Sequence, residues 1–155
     1  MIPDAMNALQ ALASKTHGTF SPKKLELIQL RASQINGCRV CVDGHARIAK
    51  KDGETDERLF AVSAWRDTPY FNEPERAALA LTEALTRLSD RADPVPDDVW
   101  NEAVANYDED ELARLVLAIA NINVWNRLNV ATAQPAGQVK PGARSTALAR
   151  GDTRT

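Results

Sequence analysis

The chain has 155 residues, 44% of them hydrophobic and 26% charged, and its formal net charge is −2. These values are typical of one globular domain with a single core, and the slightly negative charge argues against a nucleic-acid partner. No run approaches the roughly 18 apolar residues of a membrane span, and residues 1–4 lack the basic start of a secretory signal. We therefore expect a cytoplasmic protein with no membrane partner.

Helix signals dominate the first third of the chain. Residues 3–14 predict a short helix, and Ser21 and Pro22 are typical of the N-cap and first position of a second one. Gly37 ends that helix, since glycine readily adopts a positive φ. A third helix follows at once, over residues 38–51.

The same signals continue to the end of the domain. Periodicity predicts helices over residues 55–65, 74–88, 97–106 and 109–132, and the Pro-rich segment 93–96 separates two of them. Together with the first three, these helices predict an all-α fold, a compact bundle of about six or seven helices. The buried face of the helix from Pro74 should carry six apolar residues: Ala77, Ala80, Leu81, Ala84, Leu85 and Leu88.

The last predicted helix has two apolar stripes, and a helix that is apolar on two sides is buried on two sides. The first stripe consists of Leu112, Leu115, Val116, Ile119 and Ile122, and the second of Leu117, Val124 and Leu128. In so small a domain, we expect one of these two sides to meet another subunit. Four asparagines on this helix should be satisfied by packing hydrogen bonds: Asn121, Asn123, Asn126 and Asn129.

The chain should divide into a helical domain over residues 1–132 and a tail over residues 133–155. The tail contains the tripeptides Pro-Ala-Gly and Pro-Gly-Ala, lacks helical periodicity and is locally basic. This composition predicts a flexible C-terminal segment.

The chemistry of the chain is concentrated in one spacing pattern. It reads Glu26-x11-Cys38-x2-Cys41-x3-His45, and these are the only two cysteines. On a helix, at about 100° per residue, the two thiols and the imidazole share one face, with the first thiol in the opening turn. The chain has no Gly-rich phosphate loop and no Ser/His/Asp set, so we expect the thiols to act without a cofactor.

A dithiol in this position suits redox chemistry. A helix N-terminus, a neighbouring thiol and an imidazole each favour the reactive thiolate. A thiolate that attacks a peroxide becomes a sulfenic acid, which a second thiol can condense to a disulfide. His45 can take the thiol proton, and Glu26 could orient that imidazole.

Two other interpretations of the cysteines stay open. Cys38 and Cys41 could be buried small apolar residues without chemistry. They could also bind zinc with His45, although a fourth ligand would then have to come from His17, Glu26 or Asp43. A lone Cys-x-x-Cys is a weak signal, and the spacing of the His and the Glu makes it stronger.

The pattern resembles the signature of the AhpD-like alkylhydroperoxidases of the carboxymuconolactone decarboxylase superfamily. The similarity extends over residues 3–132 and includes short matching segments at residues 30–38, 75–79, 83–86 and 123–129. It implies an all-helical homo-oligomer (a dimer, trimer or hexamer) that reduces hydroperoxides through its cysteine pair. The best-studied members have His where this chain has Val40, so no proton relay is expected at that position.

By this resemblance, Cys41 attacks the peroxide, Cys38 resolves the sulfenic acid, and His45 and Glu26 move protons. The expected function is antioxidant defence, with a thiol or protein as electron donor. Electrostatics at the helix end would favour the opposite order, with Cys38 attacking. The alternatives are a general dithiol–disulfide oxidoreductase acting on a protein and a non-enzymatic oligomeric module with a zinc or structural cysteine site.

Overall fold

The computed structural model describes residues 2–16, 20–90 and 92–137, and within these ranges the chain forms seven α-helices and no strand. They are α1 (Pro3–Thr16), α2 (Pro22–Asn36), α3 (Arg39–Lys51), α4 (Asp56–Ala61), α5 (Glu73–Thr86), α6 (Asp97–Asn106) and α7 (Glu109–Ala131). Short 3-10 turns cover Val62–Asp67 and Leu88–Asp90. The predicted all-α fold is confirmed, whereas most of the predicted tail lies outside the described residues.

Helix α2 is the central element, and it packs against α3, α5 and α7. Its Ile28 joins Leu81 of α5 and Leu115 of α7 in one buried cluster. Its Leu27 and Leu30 join a second cluster with the α4–α5 region. Because α2 contributes to both clusters, its middle turns join them into one core.

The connection between α2 and α3 follows the predicted cap chemistry. Ser21 caps α2 by accepting a hydrogen bond from the Lys24 N–H, and Gly37 ends it with φ of 65°. The N–H of Gly37 donates to the Gln34 carbonyl and that of Cys38 to the Ser33 carbonyl, which is a Schellman motif. Cys38 is also the N-cap residue of α3, so no linker separates the two helices.

The buried carboxylate of Glu83 in α5 links its own helix to α2 and to the 3-10 turn at residues 62–67. Arg31 Nε donates to its carboxylate at 2.7 Å and Trp65 Nε1 at 3.0 Å, and Arg66 binds the other oxygen. Burial acts to raise the pKa of Glu83, but the hydrogen bonds from Arg66, Trp65 and Arg31 outweigh it and hold this pKa below its usual value. Glu83 is therefore an ionised anchor between α2, α5 and the 3-10 turn.

The predicted helix over residues 55–65 was too long. Helix α4 ends at Ala61, and the chain continues as a 3-10 turn in which Ala64 leaves the helical region (φ −119°, ψ 30°). Two arginine side chains hold this turn and the loop after it. Arg58 donates to the carbonyl of Tyr70, and Arg76 donates to the carbonyls of Arg66, Thr68 and Phe71. These bonds accompany the end of the helix, where periodicity alone predicted that it would continue.

Two other predictions about burial need correction or qualification. Helix α5 ends at Thr86, because Arg87 leaves helical geometry (φ −106°, ψ 41°), and Leu88 is therefore exposed instead of buried. On α7, the first stripe faces the core, but Leu117 and Val124 of the second are exposed. A subunit contact on one side of α7 stays a prediction. None of the helices in the described ranges is both long and apolar enough to cross a membrane.

Candidate active site

The two cysteines lie at the start of α3 and are bonded to each other. Cys38 is the N-cap residue and Cys41 the third residue of the helix, and their Cα atoms are 5.3 Å apart with an S–S distance of 2.15 Å. The first helical hydrogen bond runs from the Val42 N–H to the Cys38 carbonyl. The N–H groups of the preceding helical residues therefore have no acceptor within α3, and they give this end of the helix a positive potential.

Both sulfur-bearing residues are buried, and a cavity lies beside Cys38. Cys38 is 1% exposed and Cys41 7%, and with Val40 they form a small cluster apart from the main core. A cavity of about 280 Å³ is lined by residues 37–40 at the start of α3 and by Asn129, Val130, Ala133 and Gln134 at the end of α7. Cys38 therefore borders this cavity, and Cys41 keeps a small exposed fraction of its own.

The predicted approach of Glu26 to His45 is present. His45 Nδ1 lies 2.7 Å from Glu26 Oε2, and both side chains are largely shielded from solvent. An ionised carboxylate can only accept a hydrogen bond, so beside ionised Glu26 the proton sits on Nδ1. The other ring nitrogen, Nε2, is then the one able to accept a proton, and His45 lies one helical turn beyond Cys41.

The four predicted site residues thus form two pairs on adjoining helices. Cys38 and Cys41 are joined by the disulfide, and Glu26 on α2 binds His45 on α3. The short turn between α2 and α3 brings the pairs to the same side of the bundle.

One neighbour of the disulfide was not predicted as a site residue. Asn129 Nδ2 of α7 donates to Cys41 Sγ at 3.4 Å, although the two residues are 88 positions apart. Asn123 and Asn126 do make the expected packing bonds, with Thr86 and Ser33. The prediction was wrong for Asn121, whose buried Oδ1 has no hydrogen-bond partner within the described residues. The three-residue spacing of these asparagines was the one sequence signal that α7 presents a polar face here.

The end of α7 is held against the start of α3. Arg39 donates to the carbonyls of Ala133 at 2.6 Å and Gln134 at 2.9 Å, and the Gly137 N–H donates to Asp43 at 3.0 Å. Burial acts to raise the pKa of Asp43, but hydrogen bonds from Arg47 and Gly137 hold it below its usual value. The bonds from Arg39 thus hold Ala133 and Gln134, two residues of the cavity wall.

The same wall includes a backbone feature uncommon for its residue type. The N–H of Ala133 donates to the Val130 carbonyl and that of Gln134 to the Asn129 carbonyl, so α7 also ends in a Schellman motif. The left-handed position is occupied by Ala133, with φ of 53°, where glycine is the usual residue.

The zinc alternative gains no support from the residues that the structure describes. Among them, no group of three or more His, Cys, Asp or Glu side chains is placed to hold a metal ion. Asp43 is bound to Arg47 and Gly137, and His17 lies outside the described ranges.

Comparison with known proteins agrees with this architecture. The sequence model of the carboxymuconolactone decarboxylase family matches residues 3–84. The uncharacterized protein YdfG of Bacillus subtilis (strain 168) is 35% identical over 130 residues, which span 83% of this chain and 87% of YdfG.

Two solved structures share the fold. A protein of unknown function from Agrobacterium tumefaciens, proposed to be the antioxidant defence protein AhpD, superposes with a TM-score of 0.81 at 33% identity, covering 86% of this chain and 91% of that one. The debrominase Bmp8 has a TM-score of 0.76 at 22% identity, covering 88% of this chain and 73% of its own, and this likeness concerns the fold alone. The chain therefore belongs to the carboxymuconolactone decarboxylase family, among its AhpD-like members.

Proposed function

We propose that this protein is a thiol peroxidase that reduces organic hydroperoxides through a dithiol–disulfide cycle and serves antioxidant defence. The observation that carries the proposal is the Cys38–Cys41 disulfide at the start of α3, beside a cavity and one helical turn from the Glu26–His45 pair. An enzyme of this kind needs two sulfurs within bonding distance, a proton acceptor and a route for substrate.

In the first half of the cycle, the Cys41 thiolate attacks the outer oxygen of the hydroperoxide. The sulfur–oxygen bond forms, the oxygen–oxygen bond breaks, and the alcohol leaves after taking one proton. His45 takes the proton of the Cys41 thiol before the attack and returns it to the leaving alkoxide. Glu26 holds the ring in the tautomer that this transfer needs.

In the second half, the Cys38 thiol condenses with the sulfenic acid on Cys41, and the disulfide forms with loss of water. An external thiol or dithiol then supplies two electrons. Because Cys38 borders the cavity, its sulfur is the one that the reducing thiolate attacks, and Cys41 leaves as a thiolate. Apolar Val40 takes no part in proton transfer, so His45 alone serves this purpose.

The surroundings of the cavity suggest the substrate class and the partners. Val40, Val130 and Ala133 line it with apolar groups, which suits the organic part of an alkyl hydroperoxide. The electron donor is a small thiol or a protein dithiol, and the reducing cytoplasm is the compartment that supplies one. The exposed stripe of Leu117 and Val124 on α7 fits a homo-oligomer.

The test is stoichiometric. Fully reduced protein is mixed with cumene hydroperoxide or t-butyl hydroperoxide, and free thiols are counted after each addition. We expect about two thiols to disappear per peroxide, with disulfide as the product. Cys41→Ser should abolish trapping of a sulfenic acid and Cys38→Ser should prolong its lifetime. No loss of thiols with either peroxide would refute the proposal, and a sulfenic acid trapped on Cys38 would reverse the order of attack.

A second candidate, a dithiol–disulfide oxidoreductase for another protein, is favoured by the position of Cys38 beside a cavity that opens to solvent. The two candidates differ in what oxidises the reduced enzyme. Rapid loss of thiols with a disulfide-containing protein, but not with either peroxide, would select the oxidoreductase.

A further inference from the structure

Asn129 is the one side chain from outside α3 that donates a hydrogen bond to a sulfur of the site, among the residues that the structure describes. Its Nδ2 lies 3.4 Å from Cys41 Sγ, and the residue is 8% exposed. It also lines the cavity. A buried amide that points at a sulfur in this way adds little to packing, because an amide loses hydration on burial and a disulfide sulfur is a weak acceptor.

The backbone and neighbours of Asn129 hold its amide in place. Its carbonyl accepts the Gln134 N–H in the Schellman motif that ends α7. One turn earlier, Asn126 binds Ser33 at 3.0 Å and Asn36 at 2.9 Å, which fixes α7 against α2. The donor is therefore set before any change in the redox state of the sulfurs.

We propose that the Asn129 amide stabilises the thiolate of Cys41 in the reduced protein, and that Asn129 is thereby a further catalytic residue of the site. This inference rests on the proposed function, because it assigns Asn129 a part in that cycle. A hydrogen bond to a charged acceptor is about twice as strong as one between neutral groups, so the amide favours the thiolate over the thiol.

The same bond acts in both halves of the cycle. In the oxidative half it raises the fraction of Cys41 present as the attacking thiolate. In the reductive half, an external thiolate forms a bond to Cys38 Sγ, the Cys38–Cys41 bond breaks, and the electron pair goes to Cys41. A thiolate that is stabilised in this way leaves faster.

The charged groups around Cys41 do not supply this stabilisation directly, since each is bound elsewhere. Arg39 binds the carbonyls at the end of α7, and Asp43 binds Arg47 and Gly137. From α2, Glu26 binds His45. On α7, Arg127 binds Asn123. His45 remains the proton acceptor, and the α3 N-terminus adds a positive potential that both cysteines share.

The test measures the Cys41 thiol without any peroxide. In a Cys38→Ser background, the rate of alkylation by iodoacetamide is followed against pH, which gives the pKa of Cys41. Asn129→Leu keeps the approximate volume and removes the donor, and we expect it to raise this pKa by about one to two units. Alkylation at neutral pH should then slow roughly ten- to a hundredfold.

Two further variants make the test decisive. Asn129→Asp keeps the shape of the side chain and places a carboxylate beside the sulfur, so it should raise the pKa at least as much, even if Asn129→Leu does not fold. Asn121→Leu is the matched control and should leave the titration unchanged, since it removes another buried amide of α7, whose Oδ1 makes no hydrogen bond within the described residues.

The outcomes separate this inference from the proposed function. An unchanged pKa in the Asn129 variants, or an equal rise in Asn121→Leu, would overturn the role of Asn129 even if the protein reduces peroxides. A rise confined to the Asn129 variants would support it even if both peroxides fail to react.

Discussion

Replacing Glu83 by glutamine removes the charge that joins α2, α5 and the 3-10 turn at residues 62–67. In the native protein, this carboxylate accepts hydrogen bonds from Arg31 at 2.7 Å and Trp65 at 3.0 Å, and Arg66 binds its second oxygen. A glutamine keeps one acceptor oxygen but places an NH₂ group where Arg66 or Arg31 now donates. Arg31, which is almost fully buried, then keeps its charge without a counterion.

The expected cost can be worked out from these partners. Removing one member of a buried ion pair costs about 3–5 kcal/mol, and we expect Glu83→Gln to lie near the lower value because one oxygen remains. For a chain of this size, each kcal/mol corresponds to roughly 2–4 °C, so the melting temperature should fall by about 6–12 °C. Arg66 is half exposed, so Arg66→Gln should cost less than about 1 kcal/mol and serves as the control.

Urea unfolding of the two variants and the native protein measures these differences. A loss in Glu83→Gln no larger than that in Arg66→Gln would refute the reasoning. The pH dependence gives a second check. Since the folded pKa of Glu83 is depressed below the usual 4.5, its contribution is complete above that pH and is lost as pH falls toward the folded value. The difference between native protein and Glu83→Gln should therefore shrink in acid.

Three other predictions follow from local features. Ala133→Gly should raise the free energy of unfolding by about 0.5–1 kcal/mol, because it relieves a left-handed backbone, whereas Gly37→Ala should lower it by about 1 kcal/mol; urea titration of both checks the contrast. Ser21→Ala should cost about 1 kcal/mol by removing the α2 cap, and thermal unfolding would detect it. Glu26→Gln should slow the reaction with t-butyl hydroperoxide roughly 10- to 100-fold, since His45 loses its orienting carboxylate, and an unchanged rate in stopped-flow assays would contradict that role.

Cap residues made most helix boundaries predictable. Ser21 and Gly37 mark α2 through hydrogen bonds to residues only three to five positions away, so the sequence around them is enough. The approach of Glu26 to His45 was also predictable, because α3 follows α2 without a linker. In each case the information lies within one helix or one turn.

What escaped prediction depends on contacts between distant segments. The break at Ala64 accompanies carbonyl bonds made by Arg58 and Arg76, and periodicity carries no trace of those bonds. The contact of Asn129 with Cys41 joins residues 88 positions apart, and it needs the packing of α7 against α3. Leu88 fits a helical stripe in the sequence, but its stripe ends where the backbone at Arg87 turns away.

The direct connection between α2 and α3 fixes the position of Glu26 relative to His45. Glu26 lies on α2 and His45 on α3, 19 residues apart, and only Gly37 and Cys38 lie between the two helices. Inserting or deleting one helical residue between Glu26 and His45 would rotate one of the two side chains by about 100°. It would also shift that side chain by about 1.5 Å along the helix axis. The interval between the carboxylate and the imidazole is consequently as constrained as the identity of the two residues.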